Sequence, residues 1–279
     1  MGSSGLLLNM LLVLTMAWSR GLGKSDSLGD NCTTQDPASL AVFIGKQTTG
    51  SLTLCLSDDM SADVGSLEVK VAQSIGVVGS SSGHPRFVGR FVLDDHSGAE
   101  LLLQRVTMRD RNASTVRGCL GSSAAVQCLG AAVWVGDPAT LTATDSIFSS
   151  LSSADGGAIY ARGGTVLLQR VVFVDNHADF SGGAIFTAFT PALVTIVDSF
   201  FGSNSAGRLG GAILAWNSSS FRVCNSSFAD NTAPGIEGDP GGSAIARCAP
   251  GCRNETFMPT RNGDNVDIGR CRGAPDGDG

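Results

Sequence analysis

The chain has 279 residues and a formal net charge of −6 at pH 7, with 42% apolar and 16% charged residues. Glycine accounts for 37 of the 279 residues, about 13% and roughly twice the usual share, but it does not recur at every third position, which excludes collagen. The acidic balance argues against a nucleic-acid partner, while the apolar content is high enough to form a folded core.

The N-terminus begins with an apolar run at 6–18, LLLNMLLVLTMAW. This run has the length of a signal-peptide core and is too short to span a membrane as a helix. Small residues at 17–19 or 21–23 offer a cleavage site, so we predict a signal peptide over 1–23 and a cap or linker over 24–39. The alternative is an uncleaved buried segment. No later apolar run reaches membrane-spanning length, so we expect the mature chain to lack a transmembrane helix.

The segment that follows shows the period-two alternation of strands, first at Leu52, Leu54 and Leu56 and then from Leu67 to Val71. One compact acid–histidine group interrupts it at 94–96, Asp94, Asp95 and His96, with Arg86 and Arg90 just upstream. A polysaccharide lyase would need such a group together with a basic residue. A solvated turn joining two strands is the preferred interpretation.

Internal repetition is the strongest pattern in the chain. The sequence GGAI occurs at 156–159, 182–185 and 210–213, with GGSAI at 241–245 and GAAV at 130–133. A second motif, Phe-x-x-Asn, interleaves with it at 173–176, 201–204 and 228–231. The residues predicted to carry the repeat are Gly156, Gly157, Ile159, Phe173, Asn176, Gly182, Gly183, Ile185, Phe201, Asn204, Gly210, Gly211, Ile213, Phe228 and Asn231.

Alignment of the repeats produces apolar columns that alternate with water-tolerant positions, which indicates strands. These columns are Val166, Val194 and Phe221; Leu168, Ile196 and Val223; Phe173, Phe201 and Phe228; and Ile159, Ile185, Ile213 and Ile245. Each repeat is too short to close its own core, so identical coils must stack. Paired glycines permit positive φ at a corner, and asparagine tolerates left-handed geometry and can bond along the stack.

We therefore predict an all-β fold, a right-handed parallel β-helix of the pectin-lyase-like kind, with about eight coils over 40–247. A cysteine-containing tail at 248–279 is expected to cover the C-terminal edge.

The paired GGAI and Phe-x-x-Asn motifs resemble the repeat of chlamydial polymorphic outer membrane proteins, over about 130–245. That resemblance implies a β-helical, autotransporter-type surface protein involved in adhesion, and it allows a location at a bacterial outer membrane. No series of alternating ten-residue strands follows the repeats, so the translocator barrel of that family is not predicted here. Eukaryotic right-handed β-helix proteins carry similar repeats.

Eight cysteines and five N-glycosylation acceptors fit a secretory route. An even cysteine count behind a signal peptide favours disulfides over zinc, with Cys119–Cys128 and Cys32–Cys55 as plausible local pairs. The cysteines are Cys32, Cys55, Cys119, Cys128, Cys224, Cys248, Cys252 and Cys271. The acceptor asparagines are Asn31, Asn112, Asn217, Asn225 and Asn254.

The sequence contains no recognisable catalytic set, cofactor motif or metal site. Asp175, Asp198 and Asp230 lie near the Phe-x-x-Asn corners, but solvated turns are favoured over a calcium column. With only three histidines, a Ser-His-Asp system is not expected, and His177 should be exposed. Trp134 and Trp216 are as compatible with packing as with ligand stacking.

The sequence thus predicts a non-catalytic secreted or cell-surface protein that acts in adhesion or as a structural or matrix component. Its ligand would be a surface polymer, a glycan or a protein, and no cofactor is expected. The alternatives are a polysaccharide lyase or glycoside hydrolase of the same fold, and a fragment of a larger surface or autotransporter-like protein.

Overall fold

The computed structural model describes residues 52–56, 61–71, 74–80, 83–93, 98–109, 128–188, 190, 192–216, 220–235, 245–248 and 266–268. Throughout these segments the regular secondary structure is β, apart from a single helical residue at 128, and most strands have three to five residues.

The strands follow one another at short intervals. In the first half of the chain they are β1 (Leu52–Leu56), β2 (Ser61–Val71), β3 (Ser74–Gly79), β4 (Arg86–Leu93), β5 (Glu100–Gln104), β6 (Thr107–Arg109), β7 (Val133–Gly136), β8 (Thr140–Thr144), β9 (Ile147–Ser149), β10 (Ser152–Asp155) and β11 (Ile159–Arg162). In the second half they are β12 (Thr165–Gln169), β13 (Val172–Val174), β14 (His177–Ser181), β15 (Ile185–Thr187), β16 (Leu193–Val197), β17 (Phe200–Gly202), β18 (Ser205–Ala206), β19 (Ile213–Trp216), β20 (Ser220–Cys224), β21 (Ser226–Ala229), β22 (Ile245–Cys248) and β23 (Val266–Ile268).

Strands from successive turns pair in parallel and in register. One sheet stacks seven strands in the order β1-β3-β5-β8-β12-β16-β20, and a second stacks β10-β14-β18. The third contains two stacks joined by β4, which pairs with β6 through Arg86 and Phe87 and with β7 through Phe91 to Leu93. The chain is a parallel β-helix, as predicted, of about five turns, so the expectation of about eight coils was slightly too high.

All four apolar columns drawn from the sequence are present as paired positions in neighbouring turns. Val166 pairs with Val194 and that residue with Phe221, and Ile159, Ile185, Ile213 and Ile245 form a continuous line. The first column extends upstream, because Leu101 pairs with Leu141, which pairs with Val166. Since side chains alternate between the two faces of a strand, this register puts every column in the core.

Stacked phenylalanines run through the core. The rings of Phe148, Phe173, Phe201 and Phe228 are fully or almost fully buried, with centroids 4.8, 4.7 and 4.8 Å apart and planes within 8° of parallel. The spacing equals the distance between hydrogen-bonded strands, so each ring lies directly on the ring of the turn before it. Phe148 belongs to the sequence FSSL, and its place in the stack identifies that segment as a further copy of the repeat.

Each turn changes direction at three corners where one residue has positive φ. The first column contains Gly130, Gly156, Gly182 and Gly210; the second contains Arg105, Asp145, Arg170, Asp198 and Asn225; the third contains Ser150, Asp175, Ser203 and Asp230. Of the two roles that the sequence allowed for the asparagine of Phe-x-x-Asn, the structure shows the hydrogen bond along the stack and not the left-handed geometry. The residue immediately before each asparagine takes that conformation, because the asparagine itself points into the core.

The two glycines of each pair have different roles. The first, Gly182 for example, has a φ of +67°, which costs an L-residue energy. The second, Gly183, has ordinary φ, but a Cβ there would lie 2.0 Å from the carbonyl oxygen of Gly211 in the next turn. The first glycine of a pair is therefore required by the backbone conformation, and the second by the close approach of successive turns.

At the C-terminal side, β23 pairs antiparallel with β21, from Ser226–Ile268 to Phe228–Val266. Residues of the tail thus satisfy part of the edge of the last turn, where unpaired strand groups would otherwise face solvent. The described segments contain no helix with the length and hydrophobicity that a membrane crossing requires.

Candidate functional site

The asparagines of the Phe-x-x-Asn motif form a hydrogen-bonded ladder inside the solenoid. Asn176, Asn204 and Asn231 are at most 1% exposed. The Oδ1 atom of Asn204 accepts from the backbone N–H of Asn176 at 3.1 Å and from its Nδ2 at 2.9 Å, and Asn231 does the same for Asn204. Their amide groups also donate to the carbonyls of Phe148, Phe173 and Phe201. The repeated polar side chains of the motif therefore serve the fold.

A line of alternating charges runs along the second corner, a feature that the sequence analysis missed. Arg105, Asp145, Arg170, Asp198 and Asn225 occupy successive turns. Arg170 donates from Nε and a terminal nitrogen to the two oxygens of Asp145 at 2.6 and 2.8 Å. This hydrogen bond holds the pKa of Asp145 below its usual value and raises that of Arg170. The sequence contained a signal for this line, because all five residues occupy the position directly after a strand of the seven-stranded sheet.

Asn225 is the one glycosylation candidate among the residues whose structure is described. It is exposed, has a φ of 45°, and its Nδ2 donates to Oδ1 of Asp198. An exposed amide at a corner is accessible to a glycan. The other candidates, Asn31, Asn112, Asn217 and Asn254, lie outside the described residues.

Three of the eight cysteines have described side chains, Cys55, Cys128 and Cys224, and none of these three is free. Cys248 is in β22, but its side chain is not described. Cys32, Cys119, Cys252 and Cys271 lie outside the described residues, so the pairing scheme stays a prediction.

The lyase hypothesis depended on Arg90 next to the acid–histidine group. The structure buries Arg90 completely, and its guanidinium donates to the carbonyl of Gly130 at 2.9 Å and to that of Leu129. A guanidinium enclosed in this way supports the loop before β7 and does not face a solvent-filled groove. Asp94, Asp95 and His96 themselves lie outside the described residues.

One serine, one histidine and one aspartate do come together, on the outer side of the β14–β18 pair. His177 Nδ1 is 2.9 Å from the Ser205 hydroxyl, and its Nε2 is 3.5 Å from Asp179 Oδ1. A hydrolase also needs N–H groups that stabilise an oxyanion. The backbone N–H groups of 205, 206 and 207 all donate to carbonyls of neighbouring turns. His177 is half exposed, as predicted, and the cluster lacks the rest of an acyl-transfer site in the part of the chain that is described.

A second apolar cluster lies on the outer side of the β7-β11-β15-β19 stack. It includes Trp134, Tyr160 and Phe186, which are 3–7% exposed, and the rings of Tyr160 and Phe186 are 5.3 Å apart. Trp216 is half-buried against it. Rings so well covered pack with their neighbours and do not form an open sugar-stacking platform, which answers the question for Trp134.

Asp155 borders this cluster and is 8% exposed. Its Oδ1 accepts from the backbone N–H of Ser181 at 3.1 Å. Burial raises the pKa of Asp155 to about 6, and burial also raises the pKa of Tyr160.

The three acidic residues considered for calcium do not lie in one column. Asp175 and Asp230 are at the third corner, while Asp198 is at the second. Among the described residues there is no group of three His, Cys, Asp or Glu side chains that could hold a metal ion.

The outer side of the seven-stranded sheet is flat, regular and open to solvent. Its middle part is formed by the outward residues of β8, β12 and β16, which we term the threonine face. Its members are Thr140, Thr142, Thr144, Thr165, Leu167, Gln169, Leu193, Thr195 and Val197. Leu167 and Leu193 are 38% and 47% exposed, and Leu102 of the adjacent β5 is 37% exposed.

Comparison of the chain with protein-family models, with curated proteins and with solved structures finds no match to it. The class of protein is therefore defined by the architecture alone, a parallel β-helix whose outer surfaces carry the candidate functional features.

Proposed function

We propose that the protein is a secreted or cell-surface β-helix protein that acts by binding through its surface, in adhesion or as a structural component of a matrix or wall, without catalysis. One observation carries this proposal. The asparagine side chains of the repeat form hydrogen bonds within the solenoid, whereas the flat, uncharged threonine face stays exposed. A regular solenoid side of this kind offers an extended contact area.

The sequence also supports the proposed secreted or cell-surface location. The apolar run at 6–18, the five acceptor asparagines and the even number of cysteines all fit a secretory route. We propose that Cys55, Cys128 and Cys224 form disulfides with cysteines outside the described residues, with Cys32–Cys55 and Cys119–Cys128 as the local pairs. The resemblance of the motifs to the repeat of polymorphic outer membrane proteins favours adhesion as the form that binding takes.

The test is a binding screen of the mature chain, produced through a secretory host so that disulfides and glycans can form. Cells, extracellular matrix and wall polymers are offered in parallel, and retention of the protein on one of these is expected. Gly183→Val provides a control for dependence on the fold, because its side chain would collide with the next turn. Failure to bind any of the three materials would contradict the proposal, as would release of unsaturated or reducing sugars from a polysaccharide.

A further inference from the structure

The threonine face has an unusual composition for the surface of an acidic protein. Five of its nine side chains are threonine, the others are leucine, valine or glutamine, and none is charged. The chain as a whole carries a net charge of −6. Charged residues border this face on the flanking strands, where Glu100 of β5 pairs with Thr140 and Arg222 of β20 pairs with Thr195. They also follow β8, β12 and β16 at the corner, as Asp145, Arg170 and Asp198. The absence of charge is thus confined to the face itself.

The register fixes the positions of these side chains. Thr140 pairs with Thr165, Thr142 with Leu167, and Leu167 with Thr195, so outward groups form straight rows across the strands. Neighbouring positions in a row are about 4.8 Å apart, and outward positions along a strand are about 6.7 Å apart. Hydroxyl and methyl groups therefore project from a rigid, nearly rectangular array.

The size of the face argues against a second copy of the chain as its partner. Its three strands, with five residues each, cover about 14 by 17 Å, or roughly 240 Å². A stable protein–protein interface buries about 800 Å² on each partner. A partner that repeats its own surface, such as a polymer, can instead be held by several copies at once.

Charge complementarity selects among polymers. An acidic polysaccharide, a nucleic acid or a lipid headgroup layer needs cations at the contact, and the threonine face supplies none. A neutral polysaccharide presents hydroxyl groups and apolar C–H faces. Threonine hydroxyls both donate and accept hydrogen bonds, while the methyl groups of Thr142, Leu167 and Leu193 offer contact to sugar-ring C–H groups.

We infer that the threonine face binds a neutral, insoluble polysaccharide through hydroxyl and methyl contacts made on the sheet surface. This inference rests on the proposed surface-binding function and names its ligand class and its site. The contact does not depend on ion pairs, so its strength should be insensitive to salt, unlike binding carried by surface charges.

The experiment is a pull-down of the full chain with microcrystalline cellulose, chitin powder and, as the acidic comparison, a polygalacturonate gel. Binding to cellulose or chitin is expected to persist in about 0.5 M NaCl, where the screening length falls below about 5 Å. Leu167→Glu should weaken it about tenfold, because the carboxylate would be desolvated without a partner. Val174→Glu is the matched control, a half-buried outward strand position on a different face, and should bind as the wild type does.

Circular dichroism and a melting curve establish whether each variant folds. Should Leu167→Glu not fold, the triple variant Thr142→Val, Thr165→Val and Thr195→Val keeps shape and strand propensity while removing hydroxyls, and a severalfold loss is expected. Equal binding by face and control variants would overturn the inference, as would a dimer in sedimentation that Leu167→Glu dissociates. Binding to cells or to polygalacturonate but not to either neutral polymer would overturn it while leaving the proposed function in place.

Discussion

The side-chain amide of Asn176 donates to Oδ1 of Asn204 at 2.9 Å, and the two residues occupy the same position in successive turns. The same atom of Asn204 also accepts the backbone N–H of Asn176, at 3.1 Å. One oxygen thus satisfies two buried donors, and the amide of Asn204 repeats the arrangement with Asn231. Polar groups in the core are tolerated here because each has its partner in the next turn.

Replacing Asn204 by leucine should destabilise the fold strongly. The substitution leaves the backbone N–H of Asn176 and one of its two side-chain N–H bonds buried without an acceptor, and each orphaned group costs about 1–3 kcal/mol. We expect a loss of about 3 kcal/mol or more in the free energy of unfolding, measured in urea. Gln169→Leu, at an exposed strand position, is the control, and a similar loss there would show that the ladder is not the cause.

Gly183→Ala should also be costly, for a steric reason. The added Cβ would lie 2.0 Å from the carbonyl oxygen of Gly211 and 2.6 Å from that of Ser205. Two backbone segments would have to separate, so we expect the melting temperature to fall clearly. At Gly98 the space around a Cβ is open and φ is +58°, so Gly98→Ala should cost only the backbone strain, about 1 kcal/mol. Comparison of the two variants therefore distinguishes the cost of steric crowding from the cost of backbone strain.

The stability of the protein should depend on pH through Asp155. Its folded pKa, about 6, lies above the ordinary value of 3.8, because burial disfavours the carboxylate. Between these two pH values the folded state binds the proton more tightly than the unfolded state does. This group therefore adds stability as the pH falls from about 7 to 4, by roughly 3 kcal/mol at most.

Asp155→Asn tests this dependence. An uncharged amide keeps an oxygen for the N–H of Ser181, so the variant should be more stable than the wild type at pH 7.5 and should flatten the profile of unfolding free energy toward pH 4.5. Asp230→Asn, at an exposed corner, is the matched control substitution. A wild-type profile that rises with pH in this window, with no change in the Asp155→Asn variant, would contradict the prediction.

Arg90→Met should destabilise the chain without affecting any surface activity. The buried guanidinium donates to the carbonyls of Leu129 and Gly130, and its removal leaves these acceptors in a dry environment, at a cost of about 1–3 kcal/mol each. A thermal melt measures the loss, and Arg86→Met, at an exposed position, serves as the control. If Arg90→Met were as stable as the wild type, the structural role would be disproved.

Asn225 should carry a glycan when the chain passes through a eukaryotic secretory pathway. The residue is exposed, and Ser227 completes its acceptor sequence. Peptide mapping before and after treatment with peptide N-glycosidase should show a glycan-sized loss of mass at this peptide. Ser227→Ala removes the acceptor while retaining Asn225 and its contact with Asp198, and it should give an unmodified peptide. An unmodified Asn225 in the wild-type protein would contradict the prediction.

Much of the fold was predictable because two simple periods combine. Alternation along a strand placed Val166 and Leu168 on one side, and repetition along the chain placed Val194 and Ile196 above them, so the columns followed without any knowledge of the corners. The number of turns was less predictable, because the early segment from Leu52 to Arg109 contains the long strands β2 and β4, which depart from the repeat. The residue that turns each corner was also not predictable, since a motif shows which residues recur but not which of them turns inward.

The sequence by itself determined the parallel β-helix, the stacked Phe and Ile columns and the need for paired glycines, because these depend on residue type and repeat register alone. Only the tertiary structure decided which polar groups meet. Asp145 and Arg170 are 25 residues apart, and His177 and Ser205 are 28 apart, yet each pair is in contact because the winding of the chain stacks neighbouring turns. The same winding buried Arg90 and left the threonine face open, since contacts between turns depend on where the corners fall and not on the local pattern of residues.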